Sequence, residues 1–321
     1  PNKIVVKEAP KPVANDHEVV VQVKASGVCA SDIHTLKGDF IGCDPYPLIS
    51  GHEFSGVIVE KGKNVKYFKI GEQVAVNPVI PCGICHYCKK NQQNHCVDFN
   101  ALGDTIAVPE ANLYHFHHVS FEEAAFAEPL ACVLYGHQRA PVNLGDDVLI
   151  FGAGSLGLLH LQVARNEGAA TITVCDLRND KLALAKELGA NQVINPKEEG
   201  EDVFFKYAPE GYDMVIDATG VPSVVENAIK YIKNNGKLMV FGVCPQAGRI
   251  NISPYEVYRK DISIIGVFAL NNSFSESIKL IDSGVINAKK IISDRFPIEK
   301  VPRALEMLEK GEAGGKILII P

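Results

Sequence analysis

A short segment of the chain carries four cysteines, spaced Cys82-x2-Cys85-x2-Cys88-x7-Cys96. Thiolates packed this densely can converge on one tetrahedral Zn²⁺, and four sulfur ligands leave no open position, which is typical of a structural site. Two disulfides or four unrelated core cysteines are the alternatives. Disulfides are disfavoured because the chain has nine cysteines, an odd number, and is larger than a disulfide scaffold. The spacing therefore predicts a structural zinc.

A glycine-rich turn, Gly152-Ala-Gly-Ser-Leu-Gly, directly follows the apolar run Val148–Phe151. A GxGxxG alone is a weak signal, because glycines often simply end strands. A strand before it and a helix after it are the context of a dinucleotide-binding fold. Gly152 permits the tight turn, Gly154 lets a pyrophosphate approach the backbone, and Gly157 allows close packing of helix and strand. The motif predicts a dinucleotide cofactor.

Asp176 ends the second strand of this half, 19 residues after Gly157. A carboxylate there can accept hydrogen bonds from both ribose hydroxyls and would repel a 2′-phosphate, which favours NAD over NADP. A turn residue is the alternative for Asp176, and Arg178 nearby could accommodate the phosphate. We predict NAD. The other predicted cofactor contacts lie on the turn, on the next helix and after later strands: Ser155, Leu156, Lys181, Thr219, Gly242, Val243, Val267 and Phe268.

The first half of the chain holds three more potential metal ligands, Cys29, His52 and Glu53. Taken singly, a buried cysteine or a lone histidine is more often a core residue than a ligand. All three lie in the same half as the four-cysteine loop and ahead of a dinucleotide-binding pattern. This arrangement favours a second metal site.

Two patterns of secondary structure follow one another and would position these residues. Short alternating strands such as Val19–Gly27 predict a loop-rich β domain, and Ser120-Phe-Glu-Glu123 is a capping box that opens a short helix. After Gly145, apolar strands alternate with amphipathic helices, the first of which is Leu156–Asn166. This alternation predicts a parallel sheet covered on both faces. Its predicted strands are Val148–Phe151, Thr171–Cys175, Met214–Ile216, Leu238–Phe241 and Ile262–Val267.

The order of the motifs resembles that of the zinc-dependent medium-chain alcohol dehydrogenases: Cys29-x-Ser-Asp-x-His34, then Gly-His52-Glu, then the four-cysteine loop, then GxGxxG. The likeness covers nearly the whole chain, and Ala127-Glu-Pro-Leu is most similar to the sorbitol and polyol dehydrogenase branch. It implies an α/β fold with a GroES-like β-rich catalytic domain and a Rossmann doubly wound parallel sheet. The catalytic domain would cover residues 1–129 with a C-terminal return over 271–321, and the Rossmann domain 130–270.

Carried over residue by residue, the resemblance makes Cys29 and His52 ligands of a catalytic zinc. It implies Glu53 as a ligand that can bind or swing away, and Glu128 as a ligand directly or through water. Helix capping beside Pro129 is the alternative for Glu128. A catalytic zinc needs about three protein ligands and an open position, and Cys, His and Glu are all competent ligands.

Three further residues are implied around this metal. Asp32 would orient the His52 ring. Ser31 and His34 match the proton relay of the family, in which a hydroxyl passes the substrate proton to a histidine at the surface. Cys29, His52, Ser31 and His34 are thus the predicted catalytic residues, and two zinc ions per chain are expected.

The implied reaction transfers a hydride from a secondary alcohol or polyol CH–OH to NAD. The alternatives are the same chemistry on a 3-hydroxy amino acid, an aldose or a sugar phosphate, and a non-catalytic relative, which the intact catalytic residues disfavour. Thr35, Ala269 and Leu270 stand where sorbitol dehydrogenases usually carry a tyrosine and an Arg-Tyr pair, so we expect poor turnover of sorbitol.

The stretch Asn100–Ala107 is shorter than in relatives, which a deletion or omitted residues would explain. The histidines between 115 and 118 are interpreted as solvated loop residues rather than a third metal site.

Composition excludes several classes of partner. The 321 residues suggest about two domains, and 46% hydrophobic with 22% charged residues indicates a sizeable core. A net charge of -6 argues against a nucleic acid or an anionic membrane as partner. No apolar run approaches the ~20 residues of a membrane span, and no signal peptide is visible. We expect a cytoplasmic homotetramer or homodimer that acts on a small-molecule alcohol or polyol.

Overall fold

A computed structural model describes residues 4–38, 51–97, 100–101 and 107–321, with the backbone alone for 100–101. The chain forms two compact units: Pro1–Cys132 with Ala269–Pro321, and Val133–Phe268. The boundary between the units falls inside a helix, Ala127–Arg139. Most of the short stretch noted at Asn100–Ala107 lies outside the described residues.

The first part of the chain forms short strands, as its alternating pattern predicts. The strands are β1 Glu18–Gly27, β2 Glu53–Lys61, β3 Gln73–Val76, β4 Val79–Ile80, β5 Asn100–Ala101, β6 Ala107–Pro109 and β7 Leu113–His115. The helices are α1 Ala30–Lys37, α2 His86–Lys89, α3 Phe121–Ala124 and α4 Ala127–Arg139. Val19, Val21, Ile58 and Val74 are fully buried and pack together as the core of this part.

The predicted capping box opens α3. Ser120 Oγ accepts a hydrogen bond from the Glu123 N–H at 3.2 Å, and Glu123 Oε2 accepts one from the Ser120 N–H at 3.1 Å. Two donors at the start of the helix are thereby satisfied. The helix that follows, α4, begins two residues before Pro129.

The second unit is an α/β sheet of six strands, all of them parallel, in the order β10-β9-β8-β11-β12-β13. The strands are β8 Asp147–Phe151, β9 Thr171–Cys175, β10 Gln192–Ile194, β11 Tyr212–Asp217, β12 Ile232–Val240 and β13 Ser263–Gly266. The helices are α5 Ser155–Glu167, α6 Asn179–Glu187, α7 Pro196–Glu199, α8 Val203–Tyr207, α9 Pro222–Ala228 and α10 Pro254–Lys260. The order is that of a Rossmann fold, which confirms the predicted doubly wound sheet. The pattern did not predict β10, because a strand of three residues gives too little periodicity.

The end of the chain returns to the first unit. Its elements are α11 Phe274–Asp282, β14 Ile292–Phe296, α12 Val301–Glu309 and β15 Lys316–Ile319. The strand order β14-β15-β1-β2-β3-β7 places β1 between β2 and β15, and β6 also pairs with β1. Among the described helices, none has the length and apolar composition that a membrane crossing requires.

Three polar side chains interact inside the second unit. His137 Nδ1 lies 2.6 Å from Glu167 Oε2, and His137 Nε2 lies 3.0 Å from His160 Nδ1. Both imidazoles are buried, and His160 Nε2 has no hydrogen-bond partner in the described part of the chain. Burial lowers the pKa of His160 well below its usual value, and the charge of His137 acts in the same direction. His160 is therefore neutral in the folded protein at neutral pH.

We expect His160 to make the folded protein less stable as the pH is lowered. The folded protein keeps this imidazole neutral, whereas the unfolded chain protonates it below about pH 6.5. Since the unfolded state then binds more protons, the free energy of unfolding should decrease as the pH falls below about 6.5, by up to about 1.4 kcal/mol per pH unit. His160→Leu should reduce that slope in urea unfolding followed by circular dichroism.

His17→Gln is the control for this experiment, because His17 is exposed. It should retain the slope of the wild type. Equal slopes in the wild type and in His160→Leu would contradict the neutral, buried state of this imidazole.

Candidate active site

The four cysteines of the loop converge. Their Sγ atoms lie within 4.8 Å of one another, with separations of 3.5 Å for Cys85–Cys88 and 3.9 Å for both Cys82–Cys88 and Cys85–Cys96. Four sulfurs at about 2.3 Å from a tetrahedral zinc would lie about 3.8 Å apart. The donor set and its spacing therefore fit one zinc ion.

Backbone N–H groups of the loop support these sulfurs. The Cys88 N–H donates to Cys85 Sγ at 3.5 Å, and the Cys82 N–H donates to Cys96 Sγ at 3.3 Å. The N–H groups of Cys88 and Val97 lower the pKa of Cys85 to about 6. Burial and the contact with Cys85 raise the pKa of Cys88 to about 12. A cation among the sulfurs would favour the thiolate form of all four.

A second set of ligand atoms, from Cys29, His52 and Glu53, also lies within 4.8 Å of one another. Cys29 directly precedes α1, His52 directly precedes β2, and Glu53 is the first residue of β2. Across the residues that the structure describes, these are the two groups of three or more His, Cys, Asp or Glu side chains placed to share a metal. The histidines between 115 and 118 do not form another.

Asp32 connects α1 to the His52 ring. Its Oδ2 accepts a hydrogen bond from the Cys29 N–H at 2.9 Å, and its Oδ1 lies 3.6 Å from His52 Nδ1. Burial acts to lower the pKa of His52, but Asp32 and the Cys29 sulfur outweigh burial and raise that pKa well above its usual value. Because Nδ1 faces Asp32, Nε2 is the nitrogen that remains for a metal.

The two predicted relay residues lie on α1. Ser31 Oγ is 3.4 Å from His52 Nε2. His34 lies three residues further along α1 and is half-buried. Residues three apart on a helix are neighbours on its surface, so one turn separates the hydroxyl from the second imidazole.

Two buried carboxylates belong to this cluster: Glu53 is 1% and Glu128 8% exposed. Burial raises the pKa of Glu128 to about 7, and the charge of Glu53 adds to the rise, whereas His52 acts against it. Cys132, one turn further along α4, donates from its Sγ to Glu128 Oε1 at 3.6 Å. Glu128, in the first turn of α4, therefore interacts electrostatically with the cluster, but it does not belong to the group of ligand atoms within 4.8 Å of one another.

Sequence reasoning missed Lys316, which is 5% exposed and forms an ion pair with Glu53 Oε2. Burial acts to lower the pKa of Lys316, but the charges of Glu53 and Cys29 outweigh burial and raise it. The sequence did indicate a buried ion pair here, because Lys316 begins an otherwise apolar strand and a buried lysine needs an acidic partner. Cys132 gave no such signal, because a cysteine on an apolar helix face is ordinary.

The glycine-rich turn joins β8 to α5. Gly152 has a φ of 97°, in the left-handed region. A Cβ on Gly157 would lie 1.8 Å from the Gly152 carbonyl oxygen, so the packing of turn and helix excludes a side chain there. A Cβ on Gly154 would meet nothing within 4 Å, which leaves open space at the N-terminus of α5. Open space at a helix N-terminus fits a phosphate group.

Asp176 follows β9 and is held by two backbone N–H groups, from Ala153 at 2.8 Å and from Arg178 at 2.9 Å. The Arg178 side chain binds Asp180 through Nε at 3.0 Å and Nη2 at 2.5 Å. This pairing engages the guanidinium that could otherwise meet a 2′-phosphate. Burial lowers the pKa of Lys181, and the charge of Asp176 acts against it.

The remaining predicted cofactor residues also lie at the edge of the parallel sheet that carries the turn. The carboxyl ends of neighbouring parallel strands meet at one edge of a sheet, which is where open α/β sheets bind ligands. These residues either begin α5 or follow β11, β12 and β13: Ser155, Leu156, Thr219, Gly242, Val243, Val267 and Phe268.

Residues 155–283 match the family model described as zinc-binding dehydrogenase, and residues 15–119 match the alcohol dehydrogenase GroES-like domain. D-altritol 5-dehydrogenase of Agrobacterium fabrum is 31% identical over 311 residues, 93% of this chain and 91% of that protein. Sorbitol dehydrogenase of Rattus norvegicus is 32% identical in an alignment that covers 99% of this chain and 93% of that protein. A crystal structure from Sinorhizobium meliloti, assigned to the zinc-binding dehydrogenases and bound to NADP, superimposes with a TM-score of 0.93 at 30% identity, covering 100% of this chain and 96% of that chain.

Loss of one sulfur of the four-cysteine loop should reduce the stability of the fold more than the catalytic activity. Cys88→Ser should lower the melting temperature and remove about one zinc per chain, because binding energy at a structural zinc is folding energy. Thermal denaturation and elemental analysis measure the two effects. Cys244→Ser, outside both ligand groups, should change neither quantity. An unchanged zinc content in Cys88→Ser would contradict a four-sulfur site.

Proposed function

Because this chain belongs to the zinc-binding dehydrogenases, a family of oxidoreductases, we propose that it oxidises a secondary alcohol or polyol with NAD at a catalytic zinc. The observation that carries this proposal is the convergence of Cys29, His52 and Glu53 within 4.8 Å. About three protein ligands and an open position are what a catalytic zinc requires. Two relatives named for polyols support the substrate class. Assembly as a homodimer or homotetramer and a cytoplasmic location stay predictions.

Three of the proposed ligands, Cys29, His52 and Glu53, lie within 4.8 Å of one another, and the buried Glu128 interacts electrostatically with His52 and Glu53. A zinc ion bound there would act as a Lewis acid that acidifies a bound alcohol, and the nicotinamide would accept the hydride from the alcohol carbon. The four-cysteine loop holds a second, structural zinc, since four sulfurs leave no position for a substrate. Cys29, His52 and Glu53 would bind the catalytic ion, and Glu128 would bind it directly or through water.

The proton path runs along α1. Asp32 fixes the His52 ring through Nδ1 and leaves Nε2 for the metal. Ser31 Oγ, 3.4 Å from that Nε2, is close enough to the ligands to take the proton of the alcohol. His34, one turn further along the helix, then receives the proton and passes it to water.

The choice of NAD rests on Asp176 and on the pairing of Arg178 with Asp180. Asp176 presents a fixed carboxylate beside the glycine-rich turn, held through the Ala153 N–H. Asp180 keeps the Arg178 guanidinium engaged. The solved structure from Sinorhizobium meliloti is bound to NADP, so in this chain Asp176 and the engaged Arg178 carry the preference for NAD.

Wild-type kcat/KM should favour NAD over NADP by at least about tenfold, or ~1.4 kcal/mol. Asp176→Ala should shrink that ratio, because it removes the ribose acceptor and the charge that repels a 2′-phosphate. Asp180→Ala should shrink it too, by releasing Arg178. Glu210→Ala, an exposed acid elsewhere on this unit, is the matched control and should leave the ratio unchanged. A wild type that prefers NADP would show that the assignment of Asp176 is wrong.

Glu128 favours a hydroxyl-rich substrate, because a carboxylate beside the metal can accept a hydrogen bond from a neighbouring hydroxyl. Thr35, Ala269 and Leu270 supply fewer polar groups than the residues of sorbitol dehydrogenases, and Leu270 is only 2% exposed. A site that hydrogen-bonds a hydroxyl discriminates strongly, whereas an apolar wall discriminates weakly. The proposed substrate is a secondary alcohol with a vicinal hydroxyl, such as a short diol or a pentitol.

A kcat/KM series over 2,3-butanediol, xylitol, arabitol, sorbitol, threonine and a sugar phosphate tests this proposal. The diol or a pentitol should lead, and sorbitol should be slow. Glu128→Gln should reduce turnover of xylitol more than turnover of 2-butanol, which has no vicinal hydroxyl. A lead of more than about tenfold, ~1.4 kcal/mol, for threonine or the phosphorylated sugar would favour the alternative substrates instead.

A further inference from the structure

The ion pair between Glu53 and Lys316 crosses a strand. Gly27 on β1 lies opposite Glu53 on β2 and opposite Leu318 on β15. Lys316 is two residues from Leu318, and residues two apart on a strand share one face of the sheet. The side chains of Glu53 and Lys316 therefore meet over β1, at Gly27.

Gly27 leaves the space in which they meet. A Cβ there would lie 2.0 Å from Glu53 Oε2 and 2.7 Å from Lys316 Cε. The φ of Gly27 lies outside the left-handed region, so the backbone itself does not require glycine. Space for the ion pair is thus the physical reason for glycine at this position.

The pair bears directly on the metal ligands. Glu53 is 1% and Lys316 5% exposed, and a buried carboxylate needs a partner charge. Two cations are available to Glu53: the ammonium of Lys316 and a metal held with Cys29 and His52. The more firmly Lys316 holds the Glu53 carboxylate, the weaker is the attraction between that carboxylate and the metal ion.

We propose that Gly27 is a positioning residue of the metal site, because the space it leaves lets Lys316 hold Glu53 and so limits how tightly the site binds its metal. This inference rests on the proposed function, in which Cys29, His52 and Glu53 bind zinc. Breaking the pair would leave Glu53 with the metal as its partner charge and would remove a positive charge that repels the ion.

Zinc transfer to a chromogenic chelator tests the proposal. Gly27→Ala and Lys316→Met should each release the zinc of this site about tenfold more slowly than the wild type, at the lower end of the ~10–100-fold changes in metal affinity that follow when a partner of a metal ligand is altered. General damage to the fold would have the opposite sign, since a loosened site loses zinc faster. Cys29→Ala removes a ligand of this site, so the phase of zinc release that it abolishes belongs to this site. The zinc of the four-cysteine loop is an internal reference, and its rate of release should not change.

Three further variants complete the design. Gly314→Ala is the matched glycine control, because its Cβ would have Ser293 as nearest neighbour at an ordinary 3.6 Å. It should release zinc at the wild-type rate. Lys316→Arg keeps the cation and should also remain close to the wild type. The double variant of Gly27→Ala with Lys316→Met should match the single variants, because both act through one ion pair.

Release at the wild-type rate or faster from folded Lys316→Met would overturn the proposal, as would additive effects in the double variant. If Gly27→Ala does not fold, the rate in Lys316→Met decides, and slow release supports the proposal. A wild type that holds zinc in the four-cysteine loop alone would instead overturn the proposed function.

Discussion

The pairing of β1 with a strand on each side is the constraint on which the candidate metal site depends. β2 brings Glu53 to one side of β1 and β15 brings Lys316 to the other, while Cys29 follows the end of β1 by two residues. Backbone hydrogen bonds of the sheet thereby hold Glu53, Lys316 and Cys29 close together, although these residues are far apart in the sequence. The protein can bury the charges of Glu53 and Lys316 because each is the partner of the other in a fixed position.

The parts of the fold that could be predicted from sequence are those that repeat a local pattern. Apolar strands that alternate with amphipathic helices predicted five of the six parallel strands, and the short β10 was missed. The four-cysteine spacing predicted the convergence of its sulfurs, because all four lie on one loop. The resemblance to the zinc-dependent alcohol dehydrogenases is confirmed by the family matches over both the GroES-like and the dehydrogenase parts.

Contacts between distant segments could not be predicted in the same way. Cys29 and His52 were selected as ligands through the resemblance and not from their spacing, because separate elements bring them together. Lys316 lies on the last strand, and its pairing with Glu53 depends on a register that no local pattern records. The contact of His137 with His160 is of the same kind, since each residue on its own is one polar side chain on an apolar helix.

The return of β15 to β1 has a consequence for the synthesis of the chain. Val133–Phe268 is a contiguous unit, so every strand of its sheet is translated before the C-terminal segment. The sheet of the other unit has to wait for Lys316–Ile319, which are translated after every strand of the parallel sheet. Until then the edge of β1 that β15 will cover has no partner from this chain, and Glu53 lacks its lysine. The nascent protein can thus complete its nucleotide-binding sheet well before its metal-binding one.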